Sequence, residues 1–126
     1  MSKNHIFLGE LGEGVAVQLL KEQGYKIWKR NYKTKLGEID IIAKDKDTVC
    51  FIEVKTRHSD KFGSPEESIS ESKQKKIARV ALLFLKEMNL LDKKARFDVV
   101  SVVYLKGELR PDLIKNAFEL GATFTY

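Results

Sequence analysis

The stretch GEIDIIAKDKDTVCFIEVKTR, residues Gly37 to Arg57, carries the reading of the fold. Two runs rich in β-formers, Glu38 to Lys44 and Thr48 to Arg57, flank the polar Asp45-Lys46-Asp47, which makes a hairpin the economical reading. The apolar run Val49-Cys50-Phe51-Ile52 fits a central strand covered on both faces. Yet Asp40, Glu53 and Lys55 lie inside these segments, and a buried charge is costly unless something offsets it. Residues two apart on a strand share a face, which groups Phe51, Glu53, Lys55 and Arg57. A turn on Lys46-Asp47 sets Asp45 opposite Thr48. Further along the ladder it sets Asp40 opposite Glu53, with Cβ atoms about 4.5–5.5 Å apart.

Two carboxylates that close repel each other, so either one acid has a raised pKa or a divalent cation lies between them. Mg²⁺ suits such oxygen ligands, in an octahedron of about 2.0–2.1 Å completed by water and phosphate. Lys55, one alternation beyond Glu53, would then hold an attacking water or screen the growing charge of a phosphate. The plain alternative is a structural salt bridge among the three side chains on a solvated sheet face. The flanking Ile39, Ile41, Ile42, Ile52 and Val54 argue instead for a covered sheet.

Working outward, Leu8 to Gln23 places apolar residues at 8, 11, 15, 16, 19 and 20, the rhythm of an amphipathic helix stopped by Gly24. Gly9, Gly12 and Gly14 imply a frayed first turn or a close backbone approach. At about 100° per residue the apolar stripe centres near Leu8, Val15 and Leu19, with Glu13 at its margin and Glu10 pointing away. Glu13 is thus the helix acid expected near the cation; helix-dipole complementation is the alternative. Tyr25 to Thr34 reads as a strand with lysines on its edge. Beyond the hairpin, His58 to Ser64 reads as a loop and Pro65 to Met88 as a second helix opened by the proline. Arg96 to Leu105 reads as a buried strand, and Leu109 to Ile114 as a short edge strand limited by Pro111. The order α-β-β-β-α-β-(β), without repeats, gives an α/β fold around a mixed sheet.

A chain of 126 residues with 43% hydrophobic content suits a single domain spanning 1–126. Its 23 Lys and Arg against 18 Asp and Glu leave a net +5, compatible with an anionic partner. Cys50, the only cysteine, excludes an intrachain disulfide or a cysteine-rich zinc site and fits a reducing cytoplasm. No signal-peptide core and no apolar run near the roughly 18 residues of a membrane span is present, so a cytoplasmic protein without a membrane partner is expected.

Four ordered blocks carry a resemblance: G-x-x-G-E-x-x-A at Gly9 to Ala16, N-Y-x-x-K-x-G-E-I-D at Asn31 to Asp40, F-I-E-V-K-x-R at Phe51 to Arg57, and R-F-D-V-V at Arg96 to Val100. They look like the YraN family of small bacterial proteins, distant relatives of Holliday-junction resolvases in the PD-(D/E)xK restriction-endonuclease-like superfamily. The resemblance covers nearly the whole chain and implies a restriction-endonuclease-like mixed sheet flanked by helices. It further implies a DNA endonuclease in which Asp40, Glu53 and the Val54 carbonyl bind Mg²⁺, Mn²⁺ serving as substitute. Lys55 and Glu13 would assist in-line attack of activated water on a phosphodiester, on branched or damaged DNA. Ile39 stands where the superfamily motif begins with proline, a position that varies.

Lys33, Lys35 and Arg57 are candidate phosphate contacts, against the alternative of an edge strand guarded by lysines. Lys73 and Gln74, early in the second helix, are candidate contacts from that side, against a merely solvated helix face. Glu38 is a further accessory acid, Arg96 and Asp98 a supporting pair, and Cys50 a small buried hydrophobe. His58 is a loop histidine beside the motif strand, and His5 belongs to a tail expected to be mobile. Homodimerisation would suit a junction-cutting role, although no segment identifies an interface. A nucleic-acid-binding protein that keeps the fold without cleaving is the second reading.

Overall fold

The computed structural model describes residues 3–58 and 69–119. The chain runs α1 (Lys3–Glu22), β1 (Lys26–Thr34), β2 (Gly37–Asp45), β3 (Thr48–Arg57), α2 (Glu71–Glu87), β4 (Lys94–Leu105) and β5 (Glu108–Phe118). The strands form one five-stranded sheet in the order β1-β2-β3-β4-β5. Every pairing is antiparallel except β3 with β4, which are parallel. A parallel pair needs a long crossover, and the connection carrying α2 supplies it. This mixed α/β arrangement is consistent with a restriction-endonuclease-like core. Among the described residues no helix is long and apolar enough to cross a membrane.

The two helices cover opposite faces. On one, Ile77, Val80 and Phe84 of α2 pack on Ile42, Val49, Phe51 and Val99. On the other, Ala16 and Leu20 of α1 pack on Ile41, Ala43, Cys50, Ile52, Val100 and Val102. Consecutive residues of β2 and β3 feed different cores, as the alternation of a strand requires. That is why the hairpin sequence is apolar on both faces. Its turn falls on Lys46-Asp47, with Asp45 opposite Thr48 and the register kept to Ile41 opposite Ile52. Cys50 is fully buried, and burial pushes its thiol up to about 12, so it behaves as a hydrophobe.

Several boundaries move. Helix α1 starts at Lys3, so the backbone of His5 is helical rather than part of a tail. Its sheet-facing side centres on Gly12, Ala16 and Leu20, not on Leu8, Val15 and Leu19. The cause is Gly12: a Cβ there would collide with Thr56 Oγ1, so the helix settles on its small residues, and the larger Val15 and Leu19 become a shoulder towards Leu109 and Leu113. Helix α2 starts at Glu71, after Ser70, whose Oγ accepts from the Lys73 backbone N–H at 3.1 Å. The cap satisfies one of the free N–H groups of the first turn; Pro65, the expected start, lies outside the described residues. Strand β5 runs through Pro111, opposite Val102, and on to Phe118. It is the outermost strand, where a missing N–H can face away from the ladder.

At the hairpin's turn end a buried ion cluster ties three strands, β2, β4 and β5, to the α1–β1 junction. Asp98, fully buried, accepts from Tyr25 Oη at 2.8 Å, from Arg96 Nε at 3.0 Å and from the Asn116 backbone N–H at 2.9 Å. Arg96 also reaches Asp45 at 2.7 Å and donates to Tyr25 Oη at 2.8 Å. Arg96 and Asp98 thus do pair, but their bonds run to Tyr25 of the α1–β1 junction, to β2 and to β5, and not to Asp40 or Glu53. The Asp98→Ala variant takes one of its two anions from the guanidinium and leaves the Asn116 N–H and the Tyr25 hydroxyl without their acceptor, and is expected to lose roughly 3 kcal/mol in urea unfolding. Circular dichroism at the two transitions measures it.

Candidate functional site

Three chain ends meet at the edge of the sheet away from that cluster: β1 finishes at Thr34, β2 begins at Gly37 and β3 finishes at Arg57. There the β2–β3 ladder stops. After Ile41 opposite Ile52 no further backbone pair forms, and Asp40 Oδ2 accepts the Val54 backbone N–H at 2.8 Å instead. Alternation slips at the same place: Ile42 and Ile39, three apart, both join the α2-side core, while Ile41 joins the α1-side core. The neighbouring strand accommodates the slip. Asn31, between the pairs Arg30–Ile41 and Tyr32–Ile39 and so across from Asp40, has φ of 52°. Asparagine is among the few side chains that tolerate that conformation. Asp40 therefore does not simply share the face of Glu53, as an uninterrupted ladder would have it.

On the α1 side, Asp40 lines a cleft of about 330 Å³ with Gly9, Glu13, Val54, Lys55 and Thr56. The close seat of Gly12 on Thr56 brings Glu13 to this cleft. Its Oε1 is buried and, among the described residues, has no hydrogen-bond partner. Burial first, and Asp40 second, raise the Glu13 carboxyl above the usual carboxylate range, with Arg30 pulling the other way. Glu10 is exposed, pointing away from the site as its helical position requires.

Glu53 lies on the α2 side, only 7% exposed, beside Val99 in register. Its carboxyl is pushed up to about 7, chiefly by burial and then by the charge of Asp40. Lys73, in the first turn of α2, pulls it down through an ion pair of 3.0 Å from Nζ to Oε1. The Lys73 ammonium is itself held above its ordinary value by Glu53, Asp40 and Glu38, against the opposing effect of burial. Lys55 is half-buried in the cleft, and among the described residues no acid pairs with it. Of the nearby acids, Glu53 takes its cation from another element, α2.

The remaining candidates divide. Lys33 is exposed opposite Glu38, Lys35 is exposed in the β1–β2 turn and Arg57 ends β3, which puts the three at the same end of the sheet as Asp40. Gln74 does not reach it: its Nε2 donates to the Ile69 carbonyl at 2.9 Å, buttressing the start of α2. His58 stacks edge-on against Tyr104, their centroids 5.7 Å apart. The strand pattern could not reveal Asn31 or Gly9 as contributors. The Asn-Tyr pair before a β turn was the available signal for the first, and a glycine four residues before an acid on one helix for the second.

Among the described residues no three His, Cys, Asp or Glu side chains form a closed metal cage. A cage is not what Mg²⁺ requires, since it is commonly held by one or two carboxylates together with water and phosphate. Asp40 and Glu53 supply two, the Val54 carbonyl is adjacent, and the orphaned Glu13 oxygen can bind a coordinated water. An under-neutralised cluster of this composition fits a hard divalent cation.

The family model described as Uncharacterised protein family UPF0102 matches residues 12–102. A UPF0102 protein of Syntrophus aciditrophicus is 47% identical over 112 residues, covering 89% of this chain and 88% of the relative. One from Desulfosudis oleivorans is 50% identical over 111 residues, covering 88% and 89%. Another, from Caldicellulosiruptor saccharolyticus, is 50% identical over 113 residues, covering 88% and 96%.

The pKa near 7 at Glu53 sets two pH dependences. A folded-state value above the unfolded one means the folded protein holds this proton longer, so the metal-free protein loses stability as pH rises from about 4.5 through 7. Divalent cations need the ionised acid, so Mn²⁺ affinity measured by calorimetry is expected to climb over that interval and level off above it. Glu53→Gln should flatten both curves.

Proposed function

The chain belongs to the UPF0102 family of YraN-like proteins, and from that membership together with the site we propose a divalent-metal-dependent DNA endonuclease. One observation carries the reading: Asp40 stands where the β2–β3 ladder opens, electrostatically coupled to Glu13 on one side and Glu53 on the other, with Lys55 in the same cleft. A bound Mg²⁺ would supply Lewis acidity at the phosphate and lower the pKa of water. Asp40 and Glu53, with the Val54 carbonyl, would hold it. Lys55 lies where an ammonium can face phosphate oxygens as their charge grows, and Glu13 can orient the water through its otherwise unpartnered oxygen. In the reaction a P–O bond forms from water as the opposite P–O bond breaks. The attacking water gives one proton to bulk solvent, and the leaving oxygen departs in line and takes up a proton from solvent to become a hydroxyl. Lys33, Lys35 and Arg57 lie at the same end of the sheet and suit the flanking phosphates, a contact set without sequence information.

A second reading, a nucleic-acid-binding protein with the nuclease fold and no cleavage, is favoured by one feature: Glu53 already has a cationic partner in Lys73. Incubation with linear, flapped and four-way DNA in Mg²⁺, Mn²⁺ or EDTA separates the two. The endonuclease reading expects metal-dependent products that fall by about a thousandfold or more in Asp40→Asn and by about a hundredfold in Lys55→Ala. Products that survive both substitutions would belong to a contaminant. Retention of DNA without products in every metal would establish the second reading.

A further inference from the structure

Helix α2 carries its Lys73 in an unfavourable place. The first turn of a helix presents unsatisfied N–H groups and the positive end of the dipole, where an ammonium is repelled and a carboxylate welcome. Glu71 obeys that preference; Lys73, whose own N–H is held by the Ser70 cap, does not. What offsets the repulsion lies across the gap: the nearly buried Glu53 at 3.0 Å, with Asp40 and Glu38 adding to the attraction. Lys73 is at the same time 45% exposed in its side chain, on a flexible stem whose head can reach solvent by rotation alone. The cation that neutralises Glu53 is therefore detachable, while the acid is fixed.

Resting on the metal-dependent reading above, we propose that Lys73 is the resident counter-ion of the metal-free site, competing with the divalent cation for Glu53 and swinging outward when that cation binds. Both positive charges are drawn to the same Glu53 carboxylate, and the site gains most when the divalent ion takes it. The released ammonium then faces solvent on the α2 side of the same strand ends, and adds to the positive charge that Lys33, Lys35 and Arg57 bring to that end of the sheet. Site assembly and substrate attraction become linked: the positive charge at that end of the sheet is complete only once the metal is in place. In the metal-free protein the same ion pair anchors the first turn of α2 to β3.

The test is Mn²⁺ calorimetry on the full chain without nucleic acid, at about pH 8.5 so that Glu53 is ionised. Competition predicts that Lys73→Met, which keeps the stem and removes the charge, tightens Mn²⁺ binding by about tenfold, the equivalent of losing one partly buried ion pair. Lys73→Arg retains a competitor and should bind like the parent. Thermal melts supply a readout independent of catalysis: metal-free Lys73→Met should melt lower than the parent, with the gap closing when Mn²⁺ is added. Unchanged or weaker Mn²⁺ binding in Lys73→Met, with the parent binding normally, overturns the competition and leaves the metal site standing. Absence of Mn²⁺ binding in the parent and in both variants overturns the metal-dependent reading as well.

Discussion

A side-chain carboxylate takes over from a strand at the point where the hairpin opens, and the rest of the site depends on that substitution. Up to Ile41 and Ile52 the two strands satisfy each other's backbone groups. One step further the Val54 N–H would be left without its partner, a costly state away from water, and Asp40 Oδ2 accepts it at 2.8 Å. The bond fixes Asp40, a residue of the cleft lining, with one oxygen committed to the backbone. It also lets the strands diverge without stranding a donor, and divergence is what makes room for Glu13 and Lys55 at the same cavity. Replacing Asp40 would thus alter the geometry as well as the charge.

The two charge clusters of this fold show how differently a small domain can treat buried ions. Asp98 is fully enclosed, yet it accepts from Tyr25, Arg96 and Asn116, and Arg96 has Asp45 as a further anion. Complete partnering of that kind makes a buried charge tolerable. At the opposite edge of the sheet the pattern inverts. Glu53 titrates near 7, the Glu13 carboxyl is raised, and one Glu13 oxygen has no partner among the described residues. Both clusters belong to the same five-stranded sheet, so the contrast is local. The Asp98 network is closed on every side, whereas Glu53 relies on a single half-exposed lysine and one Glu13 oxygen is left open.

Much of this was legible in the sequence because β periodicity admits little ambiguity when both faces are buried. A slip of one residue in the hairpin would have exchanged the two cores, so Asp45 and Thr48 had to face each other. What pattern could not reach were departures from ideal geometry. The slip at Asp40 depends on a left-handed Asn31 in another strand, and no reading of β2 by itself contains that. The face of α1 was misplaced because hydrophobic weight was read as depth: the helix approaches on Gly12 and Ala16, where small size, not hydrophobicity, sets the distance. Lys73 was visible as a candidate, but its actual partner is an acid of the site and not a phosphate.

The closeness of α1 to the sheet also explains why the acid on that helix belongs to the site. A bulkier residue at position 12 would push the helix off Thr56, and Glu13 would recede from Asp40 with it. The charge interaction between those two acids is unfavourable, so the packing of Gly12 and Ala16 holds together what electrostatics would part. The same holds across the sheet, where burial of Glu53 beside Asp40 is maintained by the core around Phe51, Phe84 and Val99. Apolar packing on both faces therefore holds three acids near one end of the sheet, Glu13 and Asp40 at the cleft and Glu53 on the α2 side. Burial and then their mutual repulsion raise the Glu13 and Glu53 carboxyls, and that repulsion favours any positive charge nearby, as the pairing of Glu53 with Lys73 illustrates.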